Sequence, residues 1–315
     1  MDKLKLFQTI EHRTNSNKKG KNELKVILGP ASVELGEKIC ELTGFEKVSV
    51  AARIFPDCES YVRLVSGVQN DQVAIVQTTC APQDTRLMQL AFLAHAAKRN
   101  GASKVTAVTP YLAYARQDKI FLPGETVSIE AIAAMLKAAG VDSLITVNVH
   151  SEPAIARFPF PAKTISAIPL LAEYFIKKGI DKAFALSPDK GAIYIAQQAQ
   201  VTLGGELGYL QKERDRYTGQ TKHTAAHLNV KGQTVIIFDD IISTGGTIVS
   251  AAKILREQGA THVYVACVHG LLIGDAEKRI LDAGVEEIVS TDSVPNKNSK
   301  VSLSPLLAQE LKAQI

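Results

Sequence analysis

In the stretch Thr234-Val-Ile-Ile-Phe-Asp-Asp-Ile-Ile-Ser-Thr-Gly-Gly-Thr247, an apolar run of strand type ends in two adjacent carboxylates and continues through a Ser-Thr-Gly-Gly-Thr loop into a helical window. The loop has the chemistry of an anion site. Glycines let backbone N–H groups converge, hydroxyls add donors, and a helix N-terminus adds partial positive charge. It suits one phosphate group and is not a Walker A loop, because no Gly-Lys-Ser/Thr follows; the chain has no Gly-x-Gly-x-x-Gly either. Two aspartates repel a phosphate but accept well from vicinal hydroxyls, so a sugar phosphate satisfies both halves of the motif. A helix cap and turn would account for Asp-Asp before Ser, Thr and Gly. The full order of strand, carboxylate pair and phosphate loop is much rarer.

Short strand-type runs recur to either side: Leu24–Leu28, Val48–Ala51, Val73–Gln77, Val105–Thr109, Leu144–Val149, Ala183–Leu186, Val235–Phe238, Val263–Val268 and Glu287–Ser290. Between most of them lie windows with apolar residues at i, i+3 and i+4: Arg86–Asn100, Val127–Ala139, Ile168–Lys178, Gly191–Leu203 and Thr247–Gln258. This alternation reads as α/β with mainly parallel sheets. The spacing repeats in both halves, and 315 residues exceed the ~150 of a typical domain about twofold. Two similar domains are expected, 23–167 and 168–298, behind a leader (1–22) and ahead of a terminal segment (299–315) that packs back on the first domain. In open α/β sheets the ligand crevice lies outside the carboxyl ends of the strands. Chemistry is therefore sought at Thr109-Pro-Tyr111, Asn148-Val-His-Ser151, Ser187-Pro-Asp-Lys-Gly191 and Asp239-Asp240.

Composition excludes several other classes. At 46% apolar and 22% charged, the chain is neither disordered, collagen-like nor a coiled coil. No apolar run approaches the ~20 residues of a membrane span, and residues 1–10 lack a signal peptide's apolar core and cleavage site, which predicts a cytoplasmic protein without a membrane partner. The net charge of +4 sits in the leader, where Lys3, Lys5, Arg13, Lys18, Lys19 and Lys21 face only Asp2 and Glu11; the other 293 residues carry 30 charges of each sign. A solvated leader accounts for it, and no nucleic-acid partner is expected. Cys40, Cys58, Cys80 and Cys267 are widely spaced, which argues against structural zinc and a disulfide framework. Cys40 and Cys267 lie in apolar surroundings and read as core, whereas Cys58 falls in a polar loop.

With these motifs in place, the sequence resembles the type I phosphoribosyltransferase fold over about residues 24–315, and within it the ribose-phosphate diphosphokinase family. The resemblance implies two phosphoribosyltransferase-type domains, each a mainly parallel sheet flanked by helices. It also implies transfer of the diphosphoryl group of ATP to the 1-hydroxyl of D-ribose 5-phosphate, giving 5-phospho-α-D-ribose 1-diphosphate and AMP. Phe55-Pro-Asp-Cys-Glu59 resembles the family's Phe-x-Asp/Asn-Gly-Glu loop, which holds adenine from a neighbouring subunit; Cys58 stands where the family has Gly. Tyr111-Leu-Ala-Tyr-Ala-Arg-Gln-Asp-Lys119 resembles its Tyr-x-x-Tyr-Ala-Arg-Gln-Asp segment. Phe55, Asp57, Cys58, Glu59, Arg116, Gln117 and Asp118 are thereby implied to bind ATP.

Val147-Asn-Val-His-Ser151 resembles the family's Val-Asp-Leu-His strand end, with Asn148 in place of Asp. It implies His150 as a ligand of a Mg²⁺ cofactor together with Asp189 of the diphosphate loop Asp189-Lys190-Gly191. On chemistry alone, a histidine suits structural or zinc-binding duty better than hard Mg²⁺. Tyr209 to Arg216 opens a hydrophilic stretch, to about Thr224, that reads as a mobile lid. The family's catalytic Lys and Arg, two residues apart in such a loop, map to Lys212 and Arg214. A shared ATP site implies a homo-oligomer. Two other readings remain open at this stage. One is a phosphoribosyltransferase that consumes the diphosphate; the other is a catalytically weak or regulatory homologue, encouraged only by Cys58 and Asn148.

Overall fold

The computed structural model describes residues 24–214, 221–224 and 228–314. The leader 1–22, proposed from sequence as a solvated segment, lies outside them. In the first half the strands are β1 (Leu24–Leu28), β2 (Glu46–Val48), β3 (Val50–Ile54), β4 (Ser60–Leu64), β5 (Gln72–Val76), β6 (Lys104–Thr109), β7 (Ser143–Val147) and β8 (Ala162–Ile165). Among them run helices α1 (Val33–Thr43), α2 (Gln83–Arg99), α3 (Ser128–Ala138) and the single-turn α4 (Glu152–Ile155). The second half has α5 (Ile168–Lys177), β9 (Phe184–Ser187), α6 (Ile193–Leu203), β10 (Leu207–Tyr209), β11 (Gln211–Arg214), β12 (Thr221–Thr224) and β13 (Thr234–Ile242). It continues with α7 (Gly246–Glu257), β14 (His262–Gly270), α8 (Ala276–Asp282), β15 (Glu287–Thr291), β16 (Ser299–Val301) and α9 (Ser304–Lys312).

Two six-stranded sheets result, in the orders β2-β1-β5-β6-β7-β8 and β10-β9-β13-β14-β15-β16. Every neighbouring pair in them is parallel, so the same topology is built twice. Because successive side chains in a strand point to opposite faces, a strand buried on both sides reads as a continuous apolar run. In β1, Val26 and Leu28 face one layer and Ile27 the other. The outer face of the first sheet (Ile27, Val73, Ile75, Val105, Leu144) packs on α2 and α3 through Leu90, Leu93, Ile129 and Leu136. That of the second sheet (Leu186, Val235, Ile237, Val263, Ile288) packs on α7 and α8 through Ile248, Leu255 and Ile280.

The inner faces share one layer. Val26, Val76, Val108 and Ile145 of the first sheet belong to the same buried cluster as Ile236, Phe238, Ala266 and Val289 of the second, with Leu35, Ile39, Leu171, Phe175, Ile195, Leu307 and Leu311 between. Residues 299–314 divide between the two halves: β16 completes the second sheet, and α9 lies against α1, with Lys312 Nζ donating to Leu42 O (2.9 Å) and Lys163 paired to Glu310. Cys267 is buried and Cys40 half-buried, while Cys58 is exposed.

Two local expectations are corrected. The single strand expected at Val48–Ala51 is two, because β2 ends at Val48 in the sheet and β3 pairs antiparallel with β4 as a half-exposed hairpin. The polar stretch after Tyr209 is not loop throughout: Gln211–Arg214 and Thr221–Thr224 pair antiparallel, with Lys212 opposite His223 and Arg214 opposite Thr221. Residues 215–220 lie outside the described set, as do the side chains of Lys212 and Arg214.

Candidate active site

A polar cavity of about 490 Å³ opens where the carboxyl ends of the second sheet meet the first domain. β13 delivers Asp239 and Asp240 to it, and the Ser243, Thr244 and Gly245 turn carries the chain to Gly246 and Thr247 at the start of α7, all of them lining residues. Gly245 caps α7 in the left-handed region at φ +76°, and a Cβ there would stand 2.9 Å from Ile280 Cδ1, so both backbone and space call for glycine. At Gly246 a Cβ would meet nothing within 4 Å. The first N–H groups of a helix have no intrahelical acceptor, and those of α7 begin among the lining residues.

On the opposite wall, the turn after β9 brings Asp189 and Gly191. Asp189 caps a single 3₁₀ turn (Lys190–Ala192), accepting from Ala192 N at 3.1 Å. The first domain contributes Arg116, from the segment after β6, and His150, from the turn after β7. His150 Nδ1 lies 2.7 Å from Asp240 Oδ2. Burial opposes ionisation of Asp240, but the hydrogen bond from His150, that from Asp239 and the nearby histidines outweigh it and hold its carboxyl below the usual range. An ionised carboxylate only accepts, so Nδ1 carries the hydrogen, and in the neutral ring Nε2 keeps its lone pair. Loss of hydration, then the charge of Asp240, pushes the neighbouring Asp239 well above the ordinary carboxylate range. One proton shared by the pair lets one aspartate donate while the other accepts.

The structure thus brings Arg116, His150, Asp189, Gly191, Asp239, Asp240 and the 243–247 loop to one cavity from four segments. Other residues fall elsewhere. Gln117 accepts from Ser128 Oγ (2.5 Å), Asp118 accepts from Ser151 Oγ, and neither lines the cavity, so both brace the loop that carries Arg116. Lys190 is not a lining residue. Phe55 to Glu59 form the tip of the β3–β4 hairpin, where Phe55 N donates to Glu59 O (2.8 Å) and the Arg53 guanidinium lies 4.5 Å from the Phe55 ring centroid. Cys58 and Glu59 line a different hollow, of about 440 Å³, with Asp84, Met88 and Phe92.

Cys58 adopts φ +71°, so the backbone keeps a glycine-like turn at a steric cost of about 1 kcal/mol. Asn148 also has positive φ (+35°), which asparagine tolerates, and its Oδ1 accepts from Ala167 N at 2.7 Å. An amide oxygen makes that bond as a carboxylate would. Sequence reasoning missed Tyr194, which lines the cavity from α6; burial, then the charge of Asp240, Glu152, Asp239 and Asp189, pushes its hydroxyl up to about 12. It stays a protonated donor facing acceptors. An aromatic residue at helical spacing otherwise reads as core, and only its position five residues after Asp189 could have drawn attention to it.

The model of the N-terminal domain of ribose phosphate pyrophosphokinase matches residues 24–140, and that of the phosphoribosyl synthetase-associated domain matches 223–311. The ribose-phosphate pyrophosphokinase of Methanobrevibacter smithii is 40% identical over 297 residues, covering 91% of this chain and 99% of that one. The chain belongs to the ribose-phosphate pyrophosphokinase family. The pyrophosphokinase of Saccharolobus solfataricus is 38% identical over 276 residues, with 87% and 94% covered. Among solved structures, the phosphoribosylpyrophosphate synthetase of Mycobacterium smegmatis superposes with a TM-score of 0.83 at 30% identity, covering 93% of this chain and 98% of that one. The pyrophosphokinase family thus accounts for both sheets and for the duplicated topology. Among the described residues, no helix is long and apolar enough to cross a membrane.

Proposed function

We propose that the 490 Å³ cavity is where the chain carries out the family's reaction, transfer of the diphosphoryl group of ATP to ribose 5-phosphate. The observation that carries this reading is the cavity lining: a phosphate loop and carboxylate pair from one domain face an arginine and a histidine from the other. The 1-hydroxyl oxygen of the sugar attacks the β-phosphorus of ATP and gives up its proton to solvent, the bond from that phosphorus to the α,β-bridging oxygen breaks, and AMP departs with the oxygen. Such a transfer needs positioning and charge neutralisation rather than a protein nucleophile.

Ser243, Thr244, Gly245, Gly246 and Thr247 hold the 5-phosphate at the α7 N-terminus, and Asp239 and Asp240 hold the ribose 2- and 3-hydroxyls. Arg116 engages the ATP phosphates as a planar multi-donor cation, and Asp189 and Gly191 line the diphosphate side, with Lys190 on the same turn but outside the lining. Lys212 and Arg214 stabilise the charge developing on the transferring group. The donor set fits Mg²⁺ held by His150 Nε2 and Asp189. Among the described residues no three His, Cys, Asp or Glu cluster as a complete metal cage, and Mg²⁺ commonly takes one or two protein ligands and fills its shell with water and substrate phosphates. Held there, such an ion would supply charge neutralisation for the phosphates. Asp240, by holding Nδ1, fixes which nitrogen His150 presents.

No residue of the Phe55–Glu59 tip lines the cavity of its own chain, and Cys58 and Glu59 line another hollow, which supports an adenine site completed by a second copy. AMP release from ATP and ribose 5-phosphate with Mg²⁺, no base being added, tests the reaction. Lys212→Ala is expected to lower kcat by ~10² or more; an unchanged kcat with only a raised KM removes Lys212 from its role.

A further inference from the structure

His269 lies at the end of β14, fully within the seam between the domains, and is 3% exposed. Its Nε2 is 3.0 Å from Val147 O and 3.3 Å from Asn148 O, the carbonyls where β7 ends and the turn that carries His150 begins. Carbonyls only accept, so Nε2 holds the hydrogen. Nδ1, 2.8 Å from Ser293 Oγ, is then an acceptor; Ser293 Oγ also lies 2.8 Å from Val268 O, but Thr291 Oγ1 donates to that carbonyl at 2.7 Å, which leaves the single Ser293 proton for the ring. Every polar atom of the neutral ring is satisfied.

The ring also packs edge-on to Tyr111, 5.0 Å between centroids, at the head of the segment that leads to Arg116. The turn's other bonds are internal to the region that carries it: Asn148 N to Ile165 O (2.9 Å), Val149 N to Thr164 Oγ1 (3.0 Å) and Ala167 N to Asn148 Oδ1. From the second domain, His269 holds the turn's backbone and Asp240 holds its histidine ring.

We propose that His269 is a positioning residue for diphosphoryl transfer: by donating to Val147 O and Asn148 O it fixes the His150 turn against the second domain, so that His150 meets the ribose-phosphate wall in register. This rests on the reading of the cavity as the active site. A group that orients a metal-binding side chain through its backbone typically changes metal affinity or activity by about 10- to 100-fold when lost.

The test is steady-state kinetics on the full-length enzyme, with circular dichroism to verify folding. His269→Phe keeps a ring against Tyr111 but removes the donor. It is expected to raise the Mg²⁺ concentration for half-maximal rate, or the KM for ATP, on the order of tenfold, while the KM for ribose 5-phosphate moves less than about twofold. In a His150→Ala background the same change should add less than about twofold, because the effect passes through His150. His269→Gln, whose amide reaches the Nε2 position, should recover most of the wild-type behaviour, and His269→Asn, which does not reach it, should not. That Gln and Asn pair decides the matter if His269→Phe does not fold.

Equal effects of Gln and Asn, parallel loss for both substrates, or full additivity with His150→Ala would each overturn the proposal. If His150→Ala is itself silent toward Mg²⁺ and ATP, the active-site reading fails and takes this one with it. If His150→Ala is impaired while His269→Phe matches wild type, only the role of His269 fails.

Discussion

His150 and Asp240 come from different domains and 90 positions apart, yet their side chains meet at 2.7 Å, Nδ1 to Oδ2. Asp240 is almost fully buried and His150 is 44% exposed, so the pair is anchored on one side and open to the cavity on the other. Its value lies in orientation more than in stability, since solvent screens a half-exposed ion pair.

Asp240→Asn should therefore leave stability within about 1 kcal/mol of wild type. It should lower kcat/KM for ribose 5-phosphate on the order of 10²-fold, the scale of a lost transition-state contact. Thermal unfolding beside steady-state kinetics separates the two quantities.

The two glycines of the phosphate loop should respond oppositely. Gly245→Ala places a Cβ at φ +76° and 2.9 Å from Ile280 Cδ1, at a cost of roughly 1 to 2 kcal/mol, and should lower both Tm and ribose 5-phosphate affinity. Gly246→Ala meets open space in the first turn of α7, so Tm should hold or rise while the new methyl group, at the cavity wall, raises the KM for ribose 5-phosphate. Scanning calorimetry with kinetics on both variants checks the contrast.

At Cys58 the left-handed backbone at φ +71° is the quantity to probe. Cys58→Gly relieves that conformation and should be neutral or slightly stabilising, whereas Cys58→Val, β-branched in the same region, should lose roughly 1 to 2 kcal/mol. Denaturant unfolding of the pair measures the difference.

Acid should destabilise the enzyme through His269. Burial, against the pull of Asp240, lowers its pKa from 6.5 to about 4, so between these values the unfolded chain takes a proton that the folded chain refuses. Stability from this group is complete above about pH 6.5, falls as pH drops toward 4, and the total loss is about 3 kcal/mol. His269→Gln should flatten that limb in urea unfolding at stepped pH; an unchanged limb would assign the loss to other groups.

If the adenine site is completed by a second copy, mixing two inactive variants, Phe55→Ala and Lys212→Ala, should restore activity. Random exchange leaves about a quarter of composite sites intact. Mixtures no more active than their components would place the whole ATP site on one chain.

What was legible from sequence follows the range of the interactions. The β13 strand, its carboxylate pair and the loop into α7 are contiguous, and their chemistry is written in one run of fourteen residues. The interior strands of the two sheets are buried on both faces, which leaves unbroken apolar runs; the half-exposed edge strands β8 and β16 and the small pairs β3–β4 and β11–β12 lack that signal, and they were missed or misjudged. Helix α1 was missed because Glu34, Glu37, Lys38 and Glu41 crowd its exposed side and hide a stripe of only Leu35, Gly36 and Ile39. Resemblance marked His150 and Asp240, but no local spacing shows that they pair, or that His269 bonds to a turn more than 120 residues earlier. Gln117 and Asp118 show the converse: although they share a segment with Arg116, their side chains bond to Ser128 and Ser151 outside the cavity lining, which no local spacing announces.

The apolar layer common to the inner faces of the two sheets bears on how the enzyme can move. A cleft whose walls are joined through Val76, Phe175, Phe238 and Leu307 cannot open by hinging without exposing that layer to water, at roughly 25 cal/mol for each Å² uncovered. Substrate entry and product exit must then be handled by the cavity rim, with both halves travelling as one rigid frame. For the same reason a chain split at the boundary would yield two sticky halves in place of two independent proteins, and heat should melt the whole in a single step.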